Sequence, residues 1–324
     1  MKLGEEILYL SNADIEGADM PPTDLAASVE AMLAQKAVGR TVFKPKLGLY
    51  PKPGTFFQAM AGVMAEPAYA AVKWTGVVHD NDQRGLPHVS PLILLNDAET
   101  GLPLALMDGK WITGHRTPAI TVVGAKYLAR KDSTTMGFIA CGLQARTHLR
   151  AFMAAFPIAH VVAYSRRRAT AEAFAAEVRA IGLDVEVVEE PRAAVEGLDI
   201  VISSVPESPG LEPFLDPGWL ARGAFAGMTD VARSWRWAGT AAPDVMATDD
   251  HDQSATMVKA GRLAYDRPFD TDLAQLVSGA KPGRENAEQR TGLIFSGLAL
   301  ADVAVAGTFY ERALAQEFGT VLPL

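Results

Sequence analysis

Thr134-Thr-Met-Gly-Phe-Ile-Ala-Cys-Gly-Leu-Gln-Ala-Arg146 is the stretch whose reading decides the fold. Residues 136–140 form a short apolar run of the kind that makes a buried parallel strand. The run stops at Ala140-Cys-Gly142, and a helical spacing starts at Leu143 and continues through Leu149, Phe152 and Met153. Strand, small-residue turn and helix together let a backbone approach a pyrophosphate and offer it unpaired helix N–H groups. The turn reads Ala140-x-Gly142-x-x-Ala145 against the usual G-x-G-x-x-G/A. Gly142 takes the close-approach position, Ala145 the helix-packing position, and alanine replaces the first glycine. Taken alone, the pattern also fits an ordinary strand-to-helix turn.

The next element supports the nucleotide reading. Residues 160–164 (His-Val-Val-Ala-Tyr) read as a strand, and Ser165-Arg-Arg-Arg168 follows its end. That is about 20 residues past the glycine turn, where this fold reads the ribose. An Asp or Glu there pairs with the ribose hydroxyls of NAD. Ser165 followed by Arg166 instead leaves room and charge for a 2′-phosphate, so NADP(H) is expected, with NAD(H) as the alternative. The plainer reading is a solvated basic helix start, because residues 170–181 are helical in pattern.

A chain of 324 residues is long enough for two domains, and its 49% hydrophobic share marks a soluble globular protein. The net charge of -8 and the absence of a basic stripe argue against nucleic acid as the main partner. Cys141 is the only cysteine, so no disulfide framework exists, which fits a reducing cytoplasm. It fills the variable slot of the turn and reads as a small packing residue. Met1-Lys-Leu-Gly-Glu-Glu6 is charged where a secretory segment is apolar. The longest apolar stretch, 292–307, falls short of the ~20 residues of a membrane span and contains Asp302. It reads as an interior helix, and no membrane partner is expected.

Ahead of the nucleotide pattern, a strand is expected at 7–10, a helix at 22–35, and strands at 56–60, 70–76, 88–96 and 102–108. Together these make a separate antiparallel or mixed sheet. Lys44-Pro-Lys46 and Tyr50-Pro-Lys-Pro-Gly54 exclude a regular helix between 41 and 55. Lys73 lies in the apolar strand Ala70-Ala-Val-Lys-Trp-Thr75. Such a lysine either snorkels or meets an anion, a substrate carboxylate among the candidates. In Thr113-Gly-His-Arg-Thr-Pro118, Thr117 suits an N-cap and Pro118 a first helical residue. That reading starts a helix at 118, running to 130, and sets Arg116 at its positive end, where an anion is favoured. The alternative is an arginine satisfying local carbonyls.

Beyond the turn, strands are expected at 184–188, 199–205, 223–228 and 245–248, with a helix at 191–197. In open parallel sheets the ligand lies past the carboxyl ends of the strands. Ser203, Ser204 and Asp230 fall there, although Asp230 also reads as a turn-forming residue. Asp249-Asp-His-Asp252 is a poor metal set, since consecutive residues rarely converge on one ion. Gly279-Ala-Lys-Pro-Gly283-Arg284 lacks the spacing of a P-loop. A long helix is expected over 291–316.

These residues together resemble the ornithine cyclodeaminase/mu-crystallin family over nearly the whole chain. The resemblance is carried by Val72-Lys73-Trp74, Thr100-Gly-Leu-Pro-Leu104, His115-Arg116-Thr117, Gly142-Leu-Gln144-Ala145 and Asp230. Pro282-Gly-Arg284, Tyr310-Glu-Arg-Ala313 and Gly319-Thr320 complete it. It implies an α/β protein, with a Rossmann-type nucleotide domain (119–292) inserted in a mixed α+β domain (1–118 with 293–324). The latter binds substrate and forms a homodimer. The resemblance further implies that Lys46, Lys73 and Arg116 hold a substrate α-carboxylate, and that Asp230, with Lys73, carries the chemistry beside a C–N bond. It places Arg116, Thr117, Leu143, Gln144 and Ser204 on the cofactor, beside Gly142, Ser165 and Arg166.

Three departures from the family pattern stand out. Lys46 replaces the more common Arg and gives a point charge in place of a fork. The turn lacks its first glycine. Gln58 stands where ornithine cyclodeaminases carry a carboxylate for the substrate's second amine. The expected activity is therefore NAD(P)H-dependent reduction of a small cyclic imino acid to an L-amino acid. Ammonia-releasing cyclisation of ornithine with catalytic NAD is one alternative, and a non-catalytic NADP-dependent ligand-binding protein is another.

Overall fold

The computed structural model describes residues 2–208, 210–241, 243–265 and 267–324, the side chain of Asp82 excepted. In chain order the strands begin with β1 (Glu6–Leu10), β2 (Thr41–Phe43), β3 (Leu47–Lys52), β4 (Thr55–Met64) and β5 (Tyr69–Val78). They continue with β6 (Val89–Asp97), β7 (Pro103–Asp108), β8 (Thr135–Ile139), β9 (His160–Tyr164), β10 (Asp184–Val187) and β11 (Ile200–Ser203). The last are β12 (Phe225–Met228), β13 (Val245–Thr248), β14 (Thr271–Asp272), β15 (Thr291–Ile294) and β16 (Thr320–Pro323). The helices are α1 (Asn12–Gly17), α2 (Pro22–Ala37), α3 (Lys110–Leu128) and α4 (Leu143–Met153). They are followed by α5 (Arg168–Ala180), α6 (His251–Lys259), α7 (Leu273–Ser278) and α8 (Ala299–Gln316).

The chain forms two compact units, Met1–Arg116 with Gly297–Leu324, and Thr117–Ser296. Of the expected limits, 118/119 becomes 116/117, and 292/293 becomes 296/297 because β15 belongs to the second unit.

The first unit is built on a mixed sheet in the order β16-β1-β7-β6-β5-β4-β2, with β3 beside β4. Only β1 and β7 run parallel. Side chains alternate between its faces, as the strand period requires. Met60, Met64, Ala71, Lys73, Thr75, Ile93 and Leu95 are buried on one face. Val63, Trp74 and Leu92 are exposed on the other. Helix α8 covers the buried face, and its run of Ala and Gly allows a close approach. A Cβ added at Gly307 would lie 2.6 Å from the Tyr69 ring, so that helix position tolerates only hydrogen. Helix α2 lies against α8, where Thr308 Oγ1 donates to Ser28 Oγ at 3.0 Å.

The second unit is a Rossmann-type fold. Its sheet is parallel throughout, in the order β10-β9-β8-β11-β12-β15-β13-β14. Apart from the partly exposed Thr135 at the start of β8, its central strands are buried and mostly apolar on both faces, as parallel strands with covered faces must be. From β10 to β12 the order matches the doubly wound pattern, whose direction reverses between β8 and β11. The ends of these two strands, at Ala140 and Ser204, therefore flank the ligand-binding crevice of the fold.

Three expected elements are corrected. Helix α3 starts at Lys110 and carries Pro118 in its interior. The Asp108 carboxylate accepts from the Lys110 amide at 2.8 Å and starts the helix eight residues before Pro118. Proline removes one donor from the helix ladder without ending it. Arg116 is thus an interior helical residue, and the expected anion site at a helix N-terminus is withdrawn. The helix expected over 291–316 is in fact two elements. Thr291–Ile294 is strand β15, held between β12 and β13. The chain turns at Gly297 (φ 88°) before α8 begins. The segment expected as a helix at 191–197 forms a shorter 3-10 turn, Pro191–Ala194.

Candidate active site

The nucleotide turn follows β8. Ala140, which replaces the first glycine, has φ 73°, a left-handed conformation that costs an L-residue roughly 1–2 kcal/mol. Its N–H donates to the Tyr164 carbonyl at 2.9 Å, which pins the turn to the end of β9. Gly142 is the N-cap of α4, and no side chain caps the helix there. A Cβ at Gly142 would meet nothing within 4 Å, so the space before the helix end is open to a ligand. Arg146 braces the turn from behind. Its Nη1 donates to the Cys141 and Gly142 carbonyls at 2.8 and 3.1 Å, while Nε and Nη2 bind Glu177. Sequence reading passed over this arginine, although a basic residue one turn into the helix could have signalled it. Leu143 is exposed, and Ser204 Oγ donates to the Ala140 carbonyl at 3.3 Å.

A cleft of about 320 Å³ opens at this turn, lined by Gly142, Ser165, Arg166, Arg167, Thr170 and Leu211, among others. Arg168 is committed to Glu172 and Glu189. Arg166 and Arg167 make no ion pair among the described residues, and both are exposed at the cleft. Cys141 is buried, donates to the Tyr164 carbonyl, and has its thiol pushed up to about 12 by burial. It therefore fills space and stays protonated. His148, buried on α4, lies 2.9 Å from Thr121 Oγ1 and 2.7 Å from the Gln144 carbonyl. Burial pushes it down to about 4, so it is neutral at physiological pH and serves as a spacer between α3 and α4.

The open cradle at Gly142, the uncapped helix and the basic cleft fit a dinucleotide with its pyrophosphate on α4 and its ribose toward Ser165.

Asp230 lies just past β12 in the same unit and is 5% exposed. Ser203 Oγ donates to its Oδ1 at 3.0 Å, and Ser234 Oγ to its Oδ2 at 2.6 Å. The Val205 amide reaches Oδ2 at 3.3 Å. Ser203 is itself oriented by the indole of the fully buried Trp235, whose Nε1 donates to Ser203 Oγ at 2.9 Å. Burial raises the Asp230 pKa, opposed by these hydrogen bonds. The next two residues, Val231 and Ala232, have φ values of 57° and 55°. A β-branched residue in that region is a true outlier, and consecutive strained residues persist only where the surroundings impose them. Asp230 thus differs from a simple turn former: it is a buried, protonatable carboxylate on a strained loop.

In the first unit, Lys73 and Arg116 converge on one residue that sequence reading used only as an argument against a membrane span. Lys73 Nζ lies 2.8 Å from Asp302 Oδ1 on α8, and Arg116 Nε lies 3.3 Å from the same oxygen. Lys73, Arg116 and Asp302 are 2%, 7% and 1% exposed. Lys73 therefore does not snorkel; its anionic partner is supplied by the chain. Burial pushes the Lys73 ammonium down to about 8 and Asp302 works against that shift, while Arg116 adds to it. Asp302 Oδ2 has no hydrogen-bond partner, and neither does Thr75 Oγ1. Thr75 is two residues along β5 from Lys73 and shares its face.

Gln58 pairs in register with Thr75, and Met60 with Lys73, so Gln58 lies on this face too. Lys46 lies on the connection between β2 and β3, half-buried and outside the Asp302 ion pairs. Thr117, the residue after Arg116 on α3, is the first residue of the second unit.

Comparison with known proteins gives a consistent answer. The family described as ornithine cyclodeaminase/mu-crystallin matches residues 6–317. An alanine dehydrogenase of Archaeoglobus fulgidus is 31% identical over 97% of this chain and 98% of its own. A Delta(1)-pyrroline-2-carboxylate reductase of Bacillus cereus is 32% identical over 76% of this chain and 78% of its own. Among solved structures, the Thermococcus litoralis Delta(1)-pyrroline-2-carboxylate reductase in complex with NADH and L-proline is similar at a TM-score of 0.86. It shares 31% identity, covering 97% of this chain and 99% of that one. An archaeal alanine dehydrogenase dimer with bound NAD is similar at 0.84, with 29% identity and coverage of 98% and 99%.

Proposed function

Because the chain belongs to the ornithine cyclodeaminase/mu-crystallin family, we propose that it is an NAD(P)H-dependent oxidoreductase of the C–N bond. In this reading it reduces a small cyclic imino acid of the pyrroline-2-carboxylate type to the L-amino acid. The observation that carries the reading is Asp230: a buried carboxylate with a raised pKa, beyond β12 of the sheet whose switch point forms the nucleotide turn.

The bound nicotinamide supplies or accepts the hydride. Lys73 and Arg116, with Lys46 as an outer charge, hold the substrate carboxylate, and orientation of this kind removes much of the barrier. Asp230 passes its proton to the substrate nitrogen and, as the carboxylate left behind, balances the positive charge of the protonated imine, its oxygens aimed by Ser203 and Ser234. Gln58 offers a neutral amide to the rest of the substrate. That suits a ring of carbons better than a second ammonium, and so favours reduction over ornithine cyclisation.

Arg166 and Arg167 favour a 2′-phosphate, hence NADP(H) over NAD(H), although the similar structures named above bind NADH or NAD. The apolar sheet face of Val63, Trp74 and Leu92 suits a homodimer interface. No helix among the described residues is long and apolar enough to cross a membrane, and a cytoplasmic site of action fits the single buried thiol.

The test is NADPH oxidation with pyrroline-2-carboxylate, compared between the wild type and Asp230→Asn. The expected outcome is turnover by the wild type and a fall in kcat of about 10²–10⁴-fold in the variant, with cofactor affinity unchanged. Ammonia release from ornithine in place of imine reduction would favour the cyclodeaminase. Tight ligand binding with no turnover of either would favour a binding protein. Arg166→Ala should weaken NADPH by about 10–100-fold and leave NADH nearly unchanged, the loss of one charge-assisted contact.

A further inference from the structure

We propose that Asp302 is the positioning residue of the anion clamp: it holds Lys73 and Arg116 together and cancels one of their two charges, so the clamp takes a single carboxylate. The inference rests on the reading of Lys73 and Arg116 as carboxylate-binding groups, and it narrows the substrate to a monocarboxylate.

Asp302 lies in the first turn of α8, which no side chain caps, so the helix end favours its charge. One of its oxygens, Oδ1, accepts from Lys73 Nζ at 2.8 Å and lies 3.3 Å from Arg116 Nε, which is near enough for an ion pair but makes no hydrogen bond. The other, Oδ2, is buried and unpartnered. An ion pair kept only for stability would be expected to satisfy both oxygens, because an unmade buried bond is costly. Three orphaned polar atoms, Asp302 Oδ2, Arg116 Nε and Thr75 Oγ1 on the strand face of Lys73, mark a place built for a polar ligand.

Lys73, Arg116 and Asp302 together leave one positive charge in a buried place, to which the half-buried Lys46 adds only an outer, solvent-screened charge. One anionic carboxylate neutralises it, while a second would be left without a counter-charge there. The strands flanking Lys73 present Met60 from β4 and Ile93 from β6 in register with it. The charged groups acting on it are Asp302 from α8 and Arg116 from α3. Removal of Asp302 therefore takes away the one group that keeps the buried ammonium charged.

The experiment follows KM against pH for the imino acid, in wild type and in Asp302→Asn, with Asp302→Glu as the conservative variant. We expect Asp302→Asn to raise KM at least 10-fold more at pH 8 than at pH 6, and Asp302→Glu to restore most of the wild-type profile. A profile parallel to wild type overturns the proposal. Should Asp302→Asn fail to fold, Asp302→Glu and the charge preference of the wild type, below, give the answer. Lys73→Met and Arg116→Met separate the two levels: if both leave KM unchanged, the carboxylate assignment itself has failed. A clamp for one carboxylate must also disfavour a dicarboxylic imino acid by at least 10-fold in kcat/KM; equal use of both refutes the charge count.

Discussion

Replacement of Lys73 by Met keeps the volume of the side chain and deletes its charge, which leaves Asp302 with Arg116 alone. At 2.8 Å and an effective dielectric of about 20, the Lys73–Asp302 attraction is roughly 6 kcal/mol. Much of that only offsets the desolvation of the two groups, and removal of one partner of a buried pair costs about 3–5 kcal/mol. Arg116 stays at 3.3 Å, so the lower end, about 3 kcal/mol, applies. For a domain of roughly 150–250 residues each kcal/mol moves Tm by about 2–4 °C, so a fall of about 6–12 °C is expected. Thr75→Val is the matched control: it changes the same buried face without touching a charge and removes an unsatisfied hydroxyl. Its Tm should stay level or rise. Differential scanning calorimetry of the three proteins at pH 7 decides the matter. A Lys73→Met Tm within a degree of wild type, or a Thr75→Val loss as large as that of Lys73→Met, would refute the reasoning.

Because the Lys73 pKa is about 8 in the folded chain and its ordinary value is 10.5, the unfolded chain binds more protons between those limits. This group's contribution to stability therefore rises with pH across that window, by up to roughly 3 kcal/mol. The stability gap between wild type and Lys73→Met, measured by urea unfolding, should widen from pH 7.5 to 9.5, and a narrowing gap would contradict the assignment. Ala140→Gly relieves the φ 73° strain at the nucleotide turn but adds freedom to the unfolded chain, for a net gain of about 0.5–1 kcal/mol in urea. A loss of stability would show that the alanine methyl is needed there. Gly297→Ala sets a Cβ 2.6 Å from Arg116 Nη1 at a φ of 88°. It should cost about 1–2 kcal/mol and raise the imino-acid KM, and unchanged kinetics would detach Gly297 from the clamp.

How much could be read beforehand depended on the range of the interactions. The strands of the nucleotide fold were legible because parallel strands with two covered faces appear as apolar runs, and residues 160–164 and 245–248 were bounded correctly. The position of Asp230 just past a strand end was legible from the strand pattern. Its support was partly local, since Ser234 lies four residues on and Trp235 five. The start of α3 was misread because Pro118 fits a first helical position so well. The true start depends on Asp108, which reads as the end of a strand. Strand β15 was lost because Thr291-Gly-Leu-Ile merges with the apolar helix beyond it, and only the backbone at Gly297 divides them. Asp302 was beyond reach as a partner of Lys73, because 229 residues separate the two and nothing local to either records the pairing.

The backbone after Asp230 has a bearing on attempts to harden this protein. Val231 and Ala232 both occupy conformations that glycine adopts freely, so a library screened for heat resistance alone should enrich glycine at the two sites. Screened for turnover as well, the same library should keep the wild-type pair, because a slack hinge there would let the acid wander. The two selections diverge at adjacent codons, which makes this dipeptide a compact place to weigh durability against rate.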